Sequence, residues 1–182
     1  GKHKEASENF EMVIRLNPKF EPVYHDLAAV RLMLDQPRKT MEILDKARDR
    51  FKPKFLLEFY AAMARSQLHQ YTKALHHFTE AETLAKAGES NRLNKFFYFQ
   101  MGATHERNRD YQMAAKIFRQ CIEMDPDYPD PHNYMGYMWT EQGIHLEEAK
   151  KHIEQALKIE PENPAYIDSM GWVLFKLNQT EE

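Results

Sequence analysis

The stretch "DPDYPDPHNYMGYMWTEQG", Asp125–Gly143, crowds Pro126, Pro129 and Pro131 together and then runs into an apolar, aromatic pattern carrying Gly136 and Gly143. A second stretch, "EPENPAYIDSMGWVLFKLNQ" from Glu160, follows the same plan 35 residues later: Pro161 answers Pro126, Pro164 answers Pro129, and Met170-Gly171 answers Met135-Gly136. The interval recurs outside these copies. Pro18 and Pro53 are 35 residues apart, as are Ala114 and Ala149, and Gly102 precedes Gly136 by 34. A fixed period of this length marks an array of stacked supersecondary units. Between the prolines, apolar residues return at helical spacing, as in Ala74, Phe78 and Ala81, or Ala114, Ile117, Phe118 and Cys121. Strand signals are weak, so the pattern predicts helices of roughly 12–15 residues joined by short turns. Proline ends one helix, and at the next helix's first turn it lacks only an N–H that would have no partner there.

In the unit that starts at Lys95, Tyr98, Met101, Gly102, Ala114, Phe118 and Pro126 occupy the fourth, seventh, eighth, twentieth, twenty-fourth and thirty-second places. This resembles the tetratricopeptide repeat (TPR), with its W-x2-L-G-x2-Y…A-x3-F…P pattern. The resemblance implies an all-α, right-handed α-solenoid of antiparallel helix pairs. It covers the whole chain as one array, 1–182: a half repeat (second helix) at 1–20, full repeats at 21–54, 55–94, 95–128 and 129–163, and a half repeat (first helix) at 164–182. Small residues at the eighth place (Ala28, Ala62, Gly102, Gly136, Gly171) would let the two helices of a unit approach closely. Thr40 stands where Ala is usual, and Lys86 replaces a junction proline. The second repeat is 40 residues long, which predicts longer helices or a longer connection there. Both ends fall mid-unit, so the register predicts a natural chain that continues in both directions, with the helix carrying Trp172, Val173 and Leu174 lacking its pair.

Composition narrows the function. A net charge of −3 offers nothing to a polyanion, and no apolar run is long enough to span a membrane. Cys121 is the single cysteine, which rules out an internal disulfide and leaves the compartment unassigned. The nine histidines form no metal-ligand pattern: His76 and His77 are adjacent, and His145 and His152 have no Cys or carboxylate at ligand spacing. "THER" at Thr104–Arg107 lacks a zincin helix's second histidine, and Gly88 stands alone where a phosphate loop would need several glycines. Cys121 has no histidine in register and reads as a small buried apolar residue. Glu147-Glu148 and Glu181-Glu182 read as first-turn charges facing water. The expectation is a non-enzymatic protein with no cofactor and no metal site.

In the TPR family the first helix of each unit lines the concave face, at the second, fifth, sixth, ninth, twelfth and thirteenth places. The second, fifth, sixth and ninth places carry no Lys or Arg in this chain, which argues against RNA and against a basic clamp for carboxylate tails. They carry aromatic residues instead. The groove implied by the resemblance comprises Phe59, Tyr60 and Met63, then Phe96, Phe99 and Gln100, then Asn133, Tyr134 and Tyr137, and finally Asp168 and Trp172. Such a stripe suits an apolar or helical segment of a protein partner. The leading expectation is a protein–protein interaction scaffold. Its rival is self-association, as a homo-oligomer through exposed array ends or as a structural part of a larger assembly, and an accessory region beside a catalytic domain is a third class. The tail "YIDSMGWVLFKLNQTEE" resembles repeats of bacterial TPR proteins, exported lipoproteins among them, so cytoplasm and periplasm both stay open.

Overall fold

The computed structural model describes residues 1–180, and over them it is helical, with no strand. Glu181 and Glu182 lie outside the described residues, together with the reading made for them. The chain divides into two compact units, Gly1–Leu93 and Asn94 onward.

The first unit contains α1 (Lys2–Leu16), α2 (Pro22–Met33), α3 (Pro37–Arg48), α4 (Phe55–Gln67) and α5 (Tyr71–Gly88), followed by a short 3-10 turn at Ser90–Arg92. Each helix packs on its neighbour in sequence, and α2 also packs on α4. Pro22 and Pro37 open their helices at positions where no N–H is required. The core gathers Leu27, Leu44 and Leu57 with Ala28, Ala47 and Ala61 between them, all fully buried. Tyr24 is also buried, and its hydroxyl donates to the Pro18 carbonyl at 3.0 Å. Thr40 fits the small-residue place because its hydroxyl donates to the Gln36 carbonyl at 3.1 Å. The 18 residues of α5 plus the 3-10 turn account for the 40-residue spacing.

The second unit contains α6 (Lys95–Arg107), α7 (Tyr111–Met124), α8 (Pro129–Gln142), α9 (Leu146–Ile159) and α10 (Pro164–Thr180). Alternate helices form two layers: α8 touches α6 and α10 in one, and α7 and α9 lie in the other. Phe118, Met135, Ile153 and Val173 fill the space between them. Gly136 permits that packing, because a Cβ there would lie 2.6 Å from Ile153 Cγ1 and 2.7 Å from the Ala149 carbonyl oxygen. Asn94 and Asp110 cap α6 and α7 by accepting hydrogen bonds from the N–H groups of Phe97 and Met113.

The turns inside the helix pairs share one construction. In α2 the Asp35 N–H donates to the Leu32 carbonyl and the Gln36 N–H donates to Arg31, the two bonds of a Schellman motif. The same pair of bonds closes α4 through His69, α6 through Arg109 and α8 through Gly143. All four residues have positive φ, yet only one is glycine.

Candidate functional site: an acidic, aromatic cleft on the second unit

The first-layer helices of the second unit border two adjoining clefts. One, of about 360 Å3, is lined by Glu106 and Arg107 of α6, Asn133, Tyr134 and Tyr137 of α8, and Ala165, Asp168 and Ser169 of α10. The other, of about 540 Å3, is lined by Tyr137 and Glu141 of α8 and by Ile167, Asp168, Gly171 and Trp172 of α10. Tyr137 and Asp168 border both. These side chains converge because residues three and four apart share a helix face. Tyr166 ties α10 to α8 by donating its hydroxyl to Asp130 Oδ1 at 2.7 Å. Burial and the Asp130 carboxylate push that phenol's pKa up, so it stays the donor.

Within the clefts, Trp172 Nε1–H donates to Glu141 Oε1 at 2.6 Å, fixing the carboxylate beside the ring. The ring stacks on Phe175 at 5.5 Å, and Lys176 Nζ lies 4.8 Å from its centroid. Tyr137 is 40% exposed. Its pKa is raised by burial first and then by Glu141, Asp168 and Glu106, so three carboxylates act on one phenol. Burial also raises Glu106; Arg107 opposes that shift and Glu141 adds to it. Asn133 is 7% exposed, and its buried Oδ1 accepts no hydrogen bond within the described residues.

Of the residues expected in the groove, Asn133, Tyr134, Tyr137, Asp168 and Trp172 thus come together on α8 and α10. Phe99 is buried, its ring 5.0 Å from Tyr134, 5.4 Å from Tyr128 and 6.1 Å from Phe118, which makes it a core residue. Phe96 is 47% exposed at the start of α6, and Gln100 is half-buried; neither borders these two clefts. In the first unit Phe59 is buried against Phe55 at 5.5 Å and Phe78 at 6.2 Å. Tyr60 and Met63 are half-buried. The charged lining residues missing from the expected set are Glu106, Arg107 and Glu141. They hold the twelfth and thirteenth places, which the register marks as lining but which had been given no residues.

Three of the histidines and the cysteine make contacts between helices. His77 Nδ1 lies 2.6 Å from Glu58 Oε2, while His76 is exposed. His132 Nε2–H donates to the Pro126 carbonyl at 3.2 Å, leaving its Nδ1 to accept from His152 Nδ1–H at 3.0 Å. The Cys121 thiol is buried and donates to the Lys95 carbonyl at 3.1 Å; burial pushes its pKa up to about 12. Among the described residues no group of three or more His, Cys, Asp and Glu could hold a metal ion. No described helix is long and apolar enough to cross a membrane.

A tetratricopeptide-repeat family model matches residues 97–128. A TPR repeat-containing protein of Pseudomonas aeruginosa is 32% identical over 135 residues, covering 73% of this chain and 22% of its own length. The photosystem I assembly protein Ycf3 of Synechococcus elongatus is 25% identical over 118 residues, covering 57% of this chain and 65% of its own. The chain therefore spans less than two thirds of either relative. Among solved structures, YrrB, a TPR protein with an unusual peptide-binding site, superposes with a TM-score of 0.72 at 17% identity over 92% of this chain and 83% of that one. MamA superposes with a TM-score of 0.73 at 17% identity over 89% and 91%. At such identities these likenesses show the fold alone, the α-solenoid of helix pairs. The matched repeat and these superpositions give the chain the fold of tetratricopeptide-repeat proteins.

Proposed function

We propose that the chain is a non-enzymatic scaffold that holds a segment of a partner protein on the first-layer helices of the second unit. The observation that carries this reading is the pair of open clefts sharing Tyr137, with Tyr134 and Trp172 on either side. Aromatic side chains offer large contact area at low conformational cost and are common binding anchors. YrrB is described with a peptide-binding site, and Ycf3 as an assembly protein; both descriptions are compatible with a binding role. No cofactor or metal enters the proposal. Nucleic acid is disfavoured because three carboxylates line the clefts, against the cation of Arg107 on their walls and that of Lys176 over the Trp172 ring. The wider array, 1–182 in the repeats set out above, belongs to the same proposal.

Burying two or three aromatic side chains gives about 1.5–3 kcal/mol each. Ordering a flexible segment offsets several kcal/mol of that, so binding of about micromolar Kd is expected. Tyr137→Ala should weaken capture of a cognate segment about tenfold or more while leaving the helical circular dichroism unchanged. Binding that survives in the folded variant would reject the site.

A second reading is self-association, favoured by one observation: α10 exposes Ile167, Leu174 and Phe175 at 52%, 41% and 50%. Light scattering across concentrations separates the two readings. A monomer supports the scaffold alone, and a dimer that dissociates in Phe175→Glu supports the second reading.

A further inference from the structure

We propose that the segment held in these clefts is basic, with a Lys or Arg side chain set against the Tyr137 ring among Glu106, Glu141 and Asp168. The inference rests on the binding site proposed above and specifies the chemistry of its occupant. Three observations carry it.

The first is charge. Glu106, Glu141 and Asp168 border the two clefts, and the opposing cations are Arg107 on their walls and Lys176 over the Trp172 ring. Tyr137 shares the first cleft with Glu106 and Asp168 and the second with Glu141 and Asp168, so all three acids line clefts that this one side chain borders. A cation placed there meets a half-exposed aromatic ring and carboxylates together, both of which attract it. An acidic tail or a phosphate would meet repulsion at the same point.

The second is an unmet hydrogen bond. Asn133, more than nine-tenths buried, lines the first cleft, and its Oδ1 has no donor among the described residues. A buried acceptor without a donor costs about 1–3 kcal/mol; the atom is closed to solvent in the unbound cleft, so a turn of the Asn133 side chain would bring it to an N–H group of an incoming segment. The third is preorganisation. The bond from Trp172 holds Glu141 in place before any partner arrives, so less side-chain freedom is lost on binding.

The test uses the whole chain as bait for a phage library of random dodecapeptides, followed by affinity measurements on the enriched sequences as synthetic peptides. The expected result is enrichment of Lys- or Arg-containing peptides of net positive charge. Glu141→Gln with Asp168→Asn should weaken them about three- to tenfold, and replacing the peptide's basic residue by norleucine should cost the same without adding to the first loss. Asp168→Lys should turn the preference toward acidic peptides. Glu147→Gln, an exposed acid on α9, should change nothing, and thermal unfolding by circular dichroism confirms that each variant folds. Enriched peptides that are neutral or acidic, yet lost on Tyr137→Ala, would overturn the basic occupant and leave the site standing. Peptides indifferent to Tyr137→Ala would overturn both.

Discussion

A methyl group added at Gly136 and one added at Gly171 should act in opposite directions, although both glycines hold the eighth place of a repeat. At Gly136 the new carbon would press on the Ala149 carbonyl oxygen, which is backbone and cannot turn aside. Gly136→Ala should cost about 1–3 kcal/mol of stability in urea unfolding. A Cβ at Gly171 would meet nothing within 4 Å among the described residues, so Gly171→Ala should stabilise α10 by about 0.5–1 kcal/mol. The register identified both glycines, but it could not tell a crowded one from an open one, because that depends on what a neighbouring helix brings up. Cys121 was legible in full: a lone thiol at a small-residue place with no base in register. With its pKa pushed up to about 12, it should resist maleimide at neutral pH in the native protein and react within minutes in denaturant.

Between helices, a few part-buried polar contacts respond to acid. Glu58 of α4 accepts from the Arg48 guanidinium of α3 at 3.2 Å through both carboxylate oxygens, and His77 of α5 completes the group. Burial alone would raise the Glu58 pKa, but the bonds from His77 and Arg48 outweigh it and hold the carboxyl below its usual 4.5. The stabilisation is therefore present above pH 4.5 and lost as pH falls through the folded-state value. Glu58→Gln should cost about 1–3 kcal/mol at pH 7. The His132–His152 pair joins α8 to α9 with both rings neutral. Burial lowers both pKa values, that of His152 to about 4, with His132 and Arg119 adding to the shift. Because the unfolded chain takes up these protons first, the contribution is complete above pH 6.5 and declines as pH falls toward 4. Melting temperature should fall across that window, and His152→Gln should flatten the fall. Proline punctuation and helical spacing made the helices themselves legible. The polar contacts were not, since His77 and His152 look like surface residues until a second helix is laid against them.

Over the chain as a whole, each unit encloses its own buried set, around Leu27, Leu44 and Leu57 in one and Phe118, Met135 and Ile153 in the other. Repeat arrays draw their stability from nearest neighbours. Residues 1–93 and 94–182, expressed apart, should each unfold cooperatively in urea; loss of helical signal from either piece alone would refute this. The period of 34 or 35 residues revealed the class of fold, and the resemblance it carries pointed to the helices that border the proposed clefts. It did not reveal depth. Phe59 and Phe99 share the fifth place with Asn133 and Asp168, but in both cases the ring turned into the core. The acids at the twelfth and thirteenth places escaped notice because aromatic residues dominated the pattern. The corners of the array have a practical consequence. Asp35 and Arg109 adopt a backbone twist that disfavours any side chain by about 1 kcal/mol. Glycine at those two corners should harden the protein against heat, and an engineer seeking a sturdier carrier would begin there, since neither side chain borders the two clefts.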